Sequence, residues 1–289
     1  MKWLITGAGG MLGTALRDEL AAGDDTVVAL SRTELDVTDS RLVNAAVREH
    51  APDVVVNCAA YTKVDLAETE EHAANAINGS AVELLAYAAN LAGAVLVQVS
   101  TDFVFDGAKR EPYEVTDRTA PVSAYGRSKL LGELAAQHAE KHLIVRTSWL
   151  FGANGPNFVE AIRNQIRKGA NPLRVVADQR GRPTYTPHLA RAIARLTRGE
   201  ARGITHYADA EACTWFDFAK AIVEESGAST DVRPVTTDEF PRPARRPAYS
   251  VLSTERYERI TGVAPESWRE GLREYLSRTS DTPHSPRHP

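Results

Sequence analysis

The chain is expected to adopt a doubly wound α/β fold, a parallel sheet covered by helices on both faces, with a smaller second domain interleaved after it. Three observations carry that expectation. Short, valine-rich apolar runs alternate with longer stretches of helical spacing, the pattern of a sheet buried on both sides. A glycine-rich segment joins the first run to the first helix. Beyond Trp149 the texture changes to proline, arginine and shorter helices.

The predicted strands are WLIT (3–6), TVVAL (26–30), DVVVNCA (53–59), AVLVQVS (94–100), HLIVRTSWL (142–150) and GITHYA (203–208). The helices between them are MLGTALRDELAA (11–22), SRLVNAAVREH (40–50), 72–92 and 124–142. Two further helices, 157–169 and 213–226, belong to the later part. The organisation expected is a nucleotide-binding domain of 1–150 plus about 182–207. A second domain takes about 151–181 plus 208–277, and 278–289, rich in proline and without apolar periodicity, is expected to be disordered.

The 289 residues are 43% hydrophobic and 25% charged, with a net charge of −4, so neither a nucleic-acid nor an anionic-membrane partner is implied. No apolar run approaches the roughly 20 residues of a membrane helix. Cys58 and Cys213, far apart and without metal-ligand spacing, read as reduced thiols of a cytoplasmic protein. His138 and His142 in HAEKH imitate a zinc helix only superficially, because Ala139 stands where the glutamate belongs.

GAGGMLG (7–13) lies directly after a strand and opens a helix. Gly7 and Gly10 allow backbone N–H groups to approach a pyrophosphate, and Gly13 allows close packing of the helix on the strand. An NAD site places a carboxylate at the end of the second strand. Here Ser31 and Arg32 stand there, a hydroxyl and a guanidinium suited to a 2′-phosphate, which favours NADPH over NADH. Thr101 in STDFVFDG ends a buried strand on the ligand-facing rim of the sheet. Tyr125 and Lys129 share one helix face, four residues apart. A phenol beside an ammonium is a proton-transfer pair for carbonyl reduction, and the ammonium is expected to lower the phenol's pKa.

GAGGMLG, the Thr101 segment and Tyr125-x-x-x-Lys129 together resemble the extended short-chain dehydrogenase/reductases, whose fold is of the Rossmann type. NCAAYTKVDLAE (57–68), STDFVFDG (100–107), SAYGRSKLLGE (123–133), RTSWLFG (146–152), NF (157–158), DQRGRPT (178–184) and RRP (245–247) resemble, in order and spacing, the dTDP-4-dehydrorhamnose reductase family over residues 1 to about 276. The resemblance implies NADPH-dependent reduction of the 4-keto group of a dTDP-linked 6-deoxyhexulose. It implies Thr101, Tyr125 and Lys129 as catalytic residues, with Gly7, Gly10, Met11 and Leu12 along the pyrophosphate. Asp36 and Val37 would approach the adenine, and Ala59, Ala60 and Tyr61 would line the cofactor trough. Phe103, Trp149, Asn157 and Arg246 are the implied substrate contacts, the arginine for the diphosphate. Plain alternatives exist: Asp36 as a helix cap, Trp149 as filler of the domain seam, Arg246 as a solvated charge.

Some family members bind magnesium at a dimer interface through glutamates, one of them two residues after the third glycine. Ala15 occupies that position, and the positions near Pro187 and Arg278 also lack carboxylates, so neither structural magnesium nor that dimer is expected, leaving a monomer or weak dimer. Phe103 stands where nucleotide-sugar dehydratases place a second acid, which argues against dehydration. A non-catalytic, cofactor-binding regulatory subunit has no need of Thr101, Tyr125 and Lys129 together.

Overall fold

The structure, a computed structural model, describes residues 1–280. Strands β1 (Lys2–Thr6), β2 (Thr26–Leu30), β3 (Val54–Asn57), β4 (Val95–Thr101) and β5 (His142–Thr147) alternate with helices α1 (Met11–Ala21), α2 (Ser40–His50), α3 (Glu71–Asn75), α4 (Ala81–Ala92) and α5 (Ala124–Ala136). After them come β6 (Leu150–Phe151), α6 (Phe158–Arg167), β7 (Leu173–Val176), β8 (Arg180–Gly181), β9 (Thr184–Tyr185), α7 (Thr186–Arg198) and β10 (Gly203–His206). The chain continues through β11 (Cys213–Thr214), α8 (Trp215–Glu225), β12 (Val232–Val235), α9 (Glu255–Thr261) and α10 (Trp268–Ser280).

The main sheet has six strands in the order β10-β5-β4-β3-β1-β2, every pair parallel. Alternation along each strand sorts the core into two layers. Trp3, Ile5, Val54, Val56, Val97 and Val145 face Leu16, Leu20, Leu189 and Ile193 of α1 and α7. Leu4, Val55, Leu96 and Ile144 face Val43, Val47, Val82 and Leu85 of α2 and α4. The chain leaves β1 toward β2 and then returns to β3 on the other side, so the order reverses between β1 and β3. In such sheets that crevice, at the strands' carboxyl ends, receives the ligand.

A third apolar cluster gathers Phe151, Val159, Leu173, Tyr185, Phe218, Trp268, Leu272 and Tyr275 from segments far apart in sequence. Its helices are started by side chains: Asn157 caps α6, and Thr214 with Asp217 forms a reciprocal capping box at α8.

Four sequence expectations are corrected. The helix expected over 72–92 is interrupted by a π-helical turn at Ala76–Ser80. There the Asn78 side chain is turned inward, where it donates to Tyr61 O and Ser128 Oγ and accepts from Tyr61 N. The helix expected over 124–142 ends at Ala136, because the chain must turn before β5 begins at His142. The strand expected over 142–150 breaks at Ser148 and Trp149, where Trp149 takes a left-handed backbone conformation, φ +49°. The tail expected to be disordered from 278 is helical to Ser280, with Thr279 Oγ1 donating to Tyr275 O; residues 281–289 lie outside the described residues.

Candidate active site

A cavity of about 1000 Å³ opens at the carboxyl ends of β1, β3, β4 and β5, between the sheet and the third apolar cluster. It is large enough for a dinucleotide with a second ligand beside it.

Its floor is the turn into α1. Gly7 sits at φ +63°, and a Cβ there would lie 2.6 Å from Ala59 N, so the β1 turn and the β3 turn touch backbone to backbone. A Cβ on Gly13 would lie 2.5 Å from Gly7 O, so Gly13 packs on its own turn rather than on the strand. Gly10 is the N-cap of α1 and offers no side-chain cap, and the first turn carries no acid. The N–H groups of that turn are left for an anion, the arrangement that binds pyrophosphate at a helix N-terminus. Met11 and Leu12 line the cavity beside them.

Thr101 ends β4, while Tyr125 and Lys129 lie on α5, whose start is fixed by Ser123 accepting from Gly126 N and Glu68 accepting from Ala124 N. Thr101 Oγ1 donates to Asp102 Oδ1 (3.0 Å) and accepts from Phe103 N (3.2 Å). Phe103 meets Tyr125 edge to face at 5.4 Å between ring centroids. Lys129 is 4% exposed and its Nζ donates to Val99 O (2.7 Å).

The electrostatics correct one expectation. Lys129 does not draw the Tyr125 phenol down. Burial pushes Tyr125 up to about 12, with the Asp102 carboxylate adding to the rise and the Thr101 hydroxyl opposing it. Burial also brings Lys129 down to about 8, opposed by the charge of Glu133. Asp102, 1% exposed, is raised by burial to about 6. Desolvation is the largest cause for all three groups, which lie in the wall of the cavity at the carboxyl end of β4.

Most of the residues singled out in the sequence meet here. Gly7, Gly10, Met11, Leu12, Arg32, Asp36, Val37, Ala59 and Ala60 line the cavity at one end, and Thr101, Phe103, Tyr125, Lys129, Trp149 and Arg246 at the other. Three do not reach its wall. Ser31 is tied back to Glu34, whose Oε2 accepts from Ser31 N (2.8 Å) and Ser31 Oγ (2.6 Å). Tyr61 turns outward, its hydroxyl donating to Glu70 Oε2 (2.8 Å). Asn157 is a helix cap whose amide donates to Gly152 O and Gly155 O. Arg246 lines the cavity with its guanidinium forked onto Asp65 (2.9 and 3.1 Å). Asp36, also on the cavity wall, accepts from Thr38 N and Oγ1.

Sequence reading missed Trp215, the first residue of α8. Its ring stacks on Trp149 at 3.5 Å and 7°, and both line the cavity. It also missed the loop Asn154, Gly155 and Pro156, which reaches over α1 so closely that a Cβ on Gly155 would lie 2.7 Å from Met11 Cγ. The tryptophan directly after the threonine of a Thr-x-x-Asp capping box was a readable signal; the loop's approach to α1 was not. Among the described residues no cluster of three or more His, Cys, Asp or Glu side chains is arranged to hold a metal ion, and Ala15 packs against the first apolar layer. No described helix is long and apolar enough to cross a membrane.

A doubly wound sheet with a glycine turn, and with Thr, Tyr and Lys meeting at the carboxyl end of β4 in the same cavity, defines an oxidoreductase of the Tyr-x-x-x-Lys type. Residues 1–280 match the RmlD substrate binding domain family. A probable dTDP-4,6-dihydroxy-2-methyloxan-3-one 4-ketoreductase of Streptomyces antibioticus is 46% identical over 292 residues, covering 99% of this chain and 98% of its own. A dTDP-4-dehydrorhamnose reductase of Mycolicibacterium smegmatis is 44% identical over 280 residues, covering 95% and 84%. The crystal structure of the Bacillus anthracis dTDP-4-dehydrorhamnose reductase in complex with NADP superposes with a TM-score of 0.92 at 38% identity, covering 96% of this chain and 99% of that one. The chain belongs to the dTDP-4-dehydrorhamnose reductase family.

Proposed function

We propose that the protein reduces the 4-keto group of a dTDP-4-dehydro-6-deoxy-L-hexose, of the dTDP-4-dehydrorhamnose type, to the 4-hydroxy nucleotide sugar with NADPH. One observation carries the reading: Thr101, Tyr125 and Lys129 come together at the carboxyl end of β4, in one cavity with an uncapped helix N-terminus. The residues present fit a dinucleotide, since a Cβ at Gly7 or Gly13 would close the turn and α1 presents its N–H groups unpaired with any side chain. The Bacillus anthracis relative's complex with NADP supports NADPH.

A bound dihydronicotinamide supplies the hydride. Tyr125 holds the proton for the carbonyl oxygen, and with its phenol pushed up to about 12 the acid form is the one present at neutral pH. An alkoxide is a stronger base than that phenolate, so the proton moves downhill. Thr101 stands beside the phenol and accepts from Phe103 N; to hold the same oxygen its one O–H turns from Asp102 Oδ1 to the substrate carbonyl. One of the three Lys129 donors is used on Val99 O, leaving two for ribose hydroxyls. Trp149, Phe103 and Arg246 form the sugar and diphosphate end, in a substrate half of about 151–181 plus 208–277 set against a cofactor half of 1–150 plus about 182–207. The protein is further proposed to act in the cytoplasm, as a monomer or weak dimer.

The test is a coupled assay in which the dTDP-4-keto-6-deoxy-L-hexulose is generated in situ. NADPH consumption with dTDP-L-rhamnose identified by NMR is expected, falling roughly 10²- to 10⁴-fold in Tyr125→Phe. Turnover indifferent to Tyr125→Phe contradicts the reading, and NADPH binding without turnover of any keto sugar supports a non-catalytic subunit. The Streptomyces antibioticus relative favours a second substrate, the keto sugar named in its description, and the same assay run on that compound decides between them.

A further inference from the structure

Beneath Thr101 and Lys129 lies a buried charged cluster that the proposed reaction does not use. Arg146 on β5 forks onto Glu133 of α5, Nε to Oε1 (2.8 Å) and NH2 to Oε2 (2.7 Å), with both side chains at 3% exposure or less. Glu133 Oε1 also accepts from Ser100 Oγ (2.5 Å), the residue before Thr101. His206 on β10 donates from Nδ1 to Tyr113 O (3.1 Å), which leaves Nε2 to accept from Arg146 NH1 (3.3 Å). Phe105 lies under the guanidinium at 5.0 Å. Every polar atom of the pair is therefore directed by a neighbour.

A buried ion pair is weak as a source of stability, because desolvating two charges offsets most of their attraction. Its placement says more. Glu133 is one helical turn beyond Lys129 on the same face of α5, and both are buried. The Ser100 bond joins Glu133 to the strand end that bears Thr101 and the Val99 carbonyl on which Lys129 rests. One carboxylate thus touches the strand carrying Thr101 while its helix carries the other two catalytic groups.

We infer that Glu133, paired with Arg146, is a positioning residue of this site, keeping the Lys129 ammonium charged and locking the Thr101 strand end to the helix of Tyr125 and Lys129. The inference rests on the reading of the site as a reductase. The titratable groups around Lys129 leave Glu133 as the controlling charge. Tyr125 on α5 and Cys58 after β3, both half-buried, are held neutral by desolvation, which pushes each up to about 12. Asp102 acts on Tyr125 from the turn after β4. Arg146 faces the cluster from β5, and His206 from β10 is neutral, burial and Arg146 bringing it down to about 3. Glu68 is occupied with Ala124 N, and Glu71 pairs with Arg127 at the surface.

Two variants separate positioning from simple support. Glu133→Gln keeps the shape, removes the negative charge and leaves Arg146 to repel Lys129. Arg146→Met leaves the carboxylate unneutralised. The readouts are the Lys129 titration midpoint, followed by NMR of its side-chain Cε signal assigned through its loss in Lys129→Met, and the alkaline limb of the reduction pH profile. In Glu133→Gln both are expected to move to lower pH by about one unit or more. In Arg146→Met both are expected to move to higher pH. If either single variant fails to fold, the double variant Glu133→Gln/Arg146→Met removes both charges of the pair, so that neither partner is left alone, and is expected to show a smaller acid shift of Lys129. A folded variant with lowered Tm but an unmoved Lys129 midpoint overturns the inference. A moved midpoint in a protein that reduces no keto sugar upholds the coupling and counts against the reductase reading alone.

Discussion

Removing the Trp215 ring tests whether the substrate end of the cavity is held by the aromatic stack. Trp149 has φ +49°, a left-handed conformation costing a bulky residue roughly 1–2 kcal/mol. Its indole is trapped between Trp215, stacked at 3.5 Å, and the Gly181 backbone, where a Cβ would lie 2.5 Å from Trp149 Cε2. The stack contributes about 0.5–1.5 kcal/mol beyond its buried area, comparable to the backbone cost it offsets. In Trp215→Ala the indole is released on one face, and the competent conformer falls by roughly 5- to 30-fold, the equivalent of about 1–2 kcal/mol. Steady-state kinetics should show kcat/KM for the nucleotide sugar falling by that factor, chiefly through KM. NADPH affinity, set around Gly7, α1 and Arg32, should stay within twofold. Circular dichroism reports the stack independently, because parallel indoles in contact give an exciton couplet that the variant loses. A lost couplet with kcat/KM within twofold of the parent refutes the argument, since Trp149 would then need no support to serve the substrate.

Other outcomes follow from the same geometry. Gly13→Ala places a Cβ 2.5 Å from Gly7 O and 2.7 Å from Ala8 Cα, so NADPH affinity measured by fluorescence titration should drop about tenfold or more; an unchanged Kd contradicts the turn as the pyrophosphate site. Arg32→Ala should raise KM for NADPH and leave NADH unaffected. Glu34→Gln should lower KM for NADPH, because that carboxylate now takes the Ser31 donors a 2′-phosphate would use; comparable efficiency with both cofactors, unmoved by Arg32→Ala, excludes Arg32 as the selector. Reduction should decline as pH rises through about 8, where Lys129 loses its proton. The same group affects stability: with its folded pKa brought down to about 8 from 10.5, the unfolded chain binds more protons in between, so this contribution to stability rises with pH over that window. Lys129→Met should therefore have a Tm advantage at pH 7 that shrinks between pH 8 and 10.5, and a constant difference across that range contradicts the burial of a charged lysine.

The alternation of strand and helix, the parallel sheet and the glycine turn were all legible in the sequence, and for one reason. Each depends on the period of apolar residues along the chain or on a local demand for missing side chains, and both are properties of a few consecutive residues. Tyr125 and Lys129 were legible for the same reason, since spacing alone puts them on one helix face. Tertiary structure decided what those groups feel and which distant residues stand beside them. The sequence pairs a phenol with an ammonium and suggests mutual stabilisation; the fold desolvates both, which outweighs the pairing and moves them in opposite directions. Trp215 stacks on Trp149 from 66 positions away, the Asn154 to Pro156 loop reaches back over α1, and Arg146 finds Glu133 across two elements. Asn157, read as a substrate contact, is used to start a helix. Such contacts are absent from any local window because long-range packing, paid for in chain entropy and returned by burial, is what creates them.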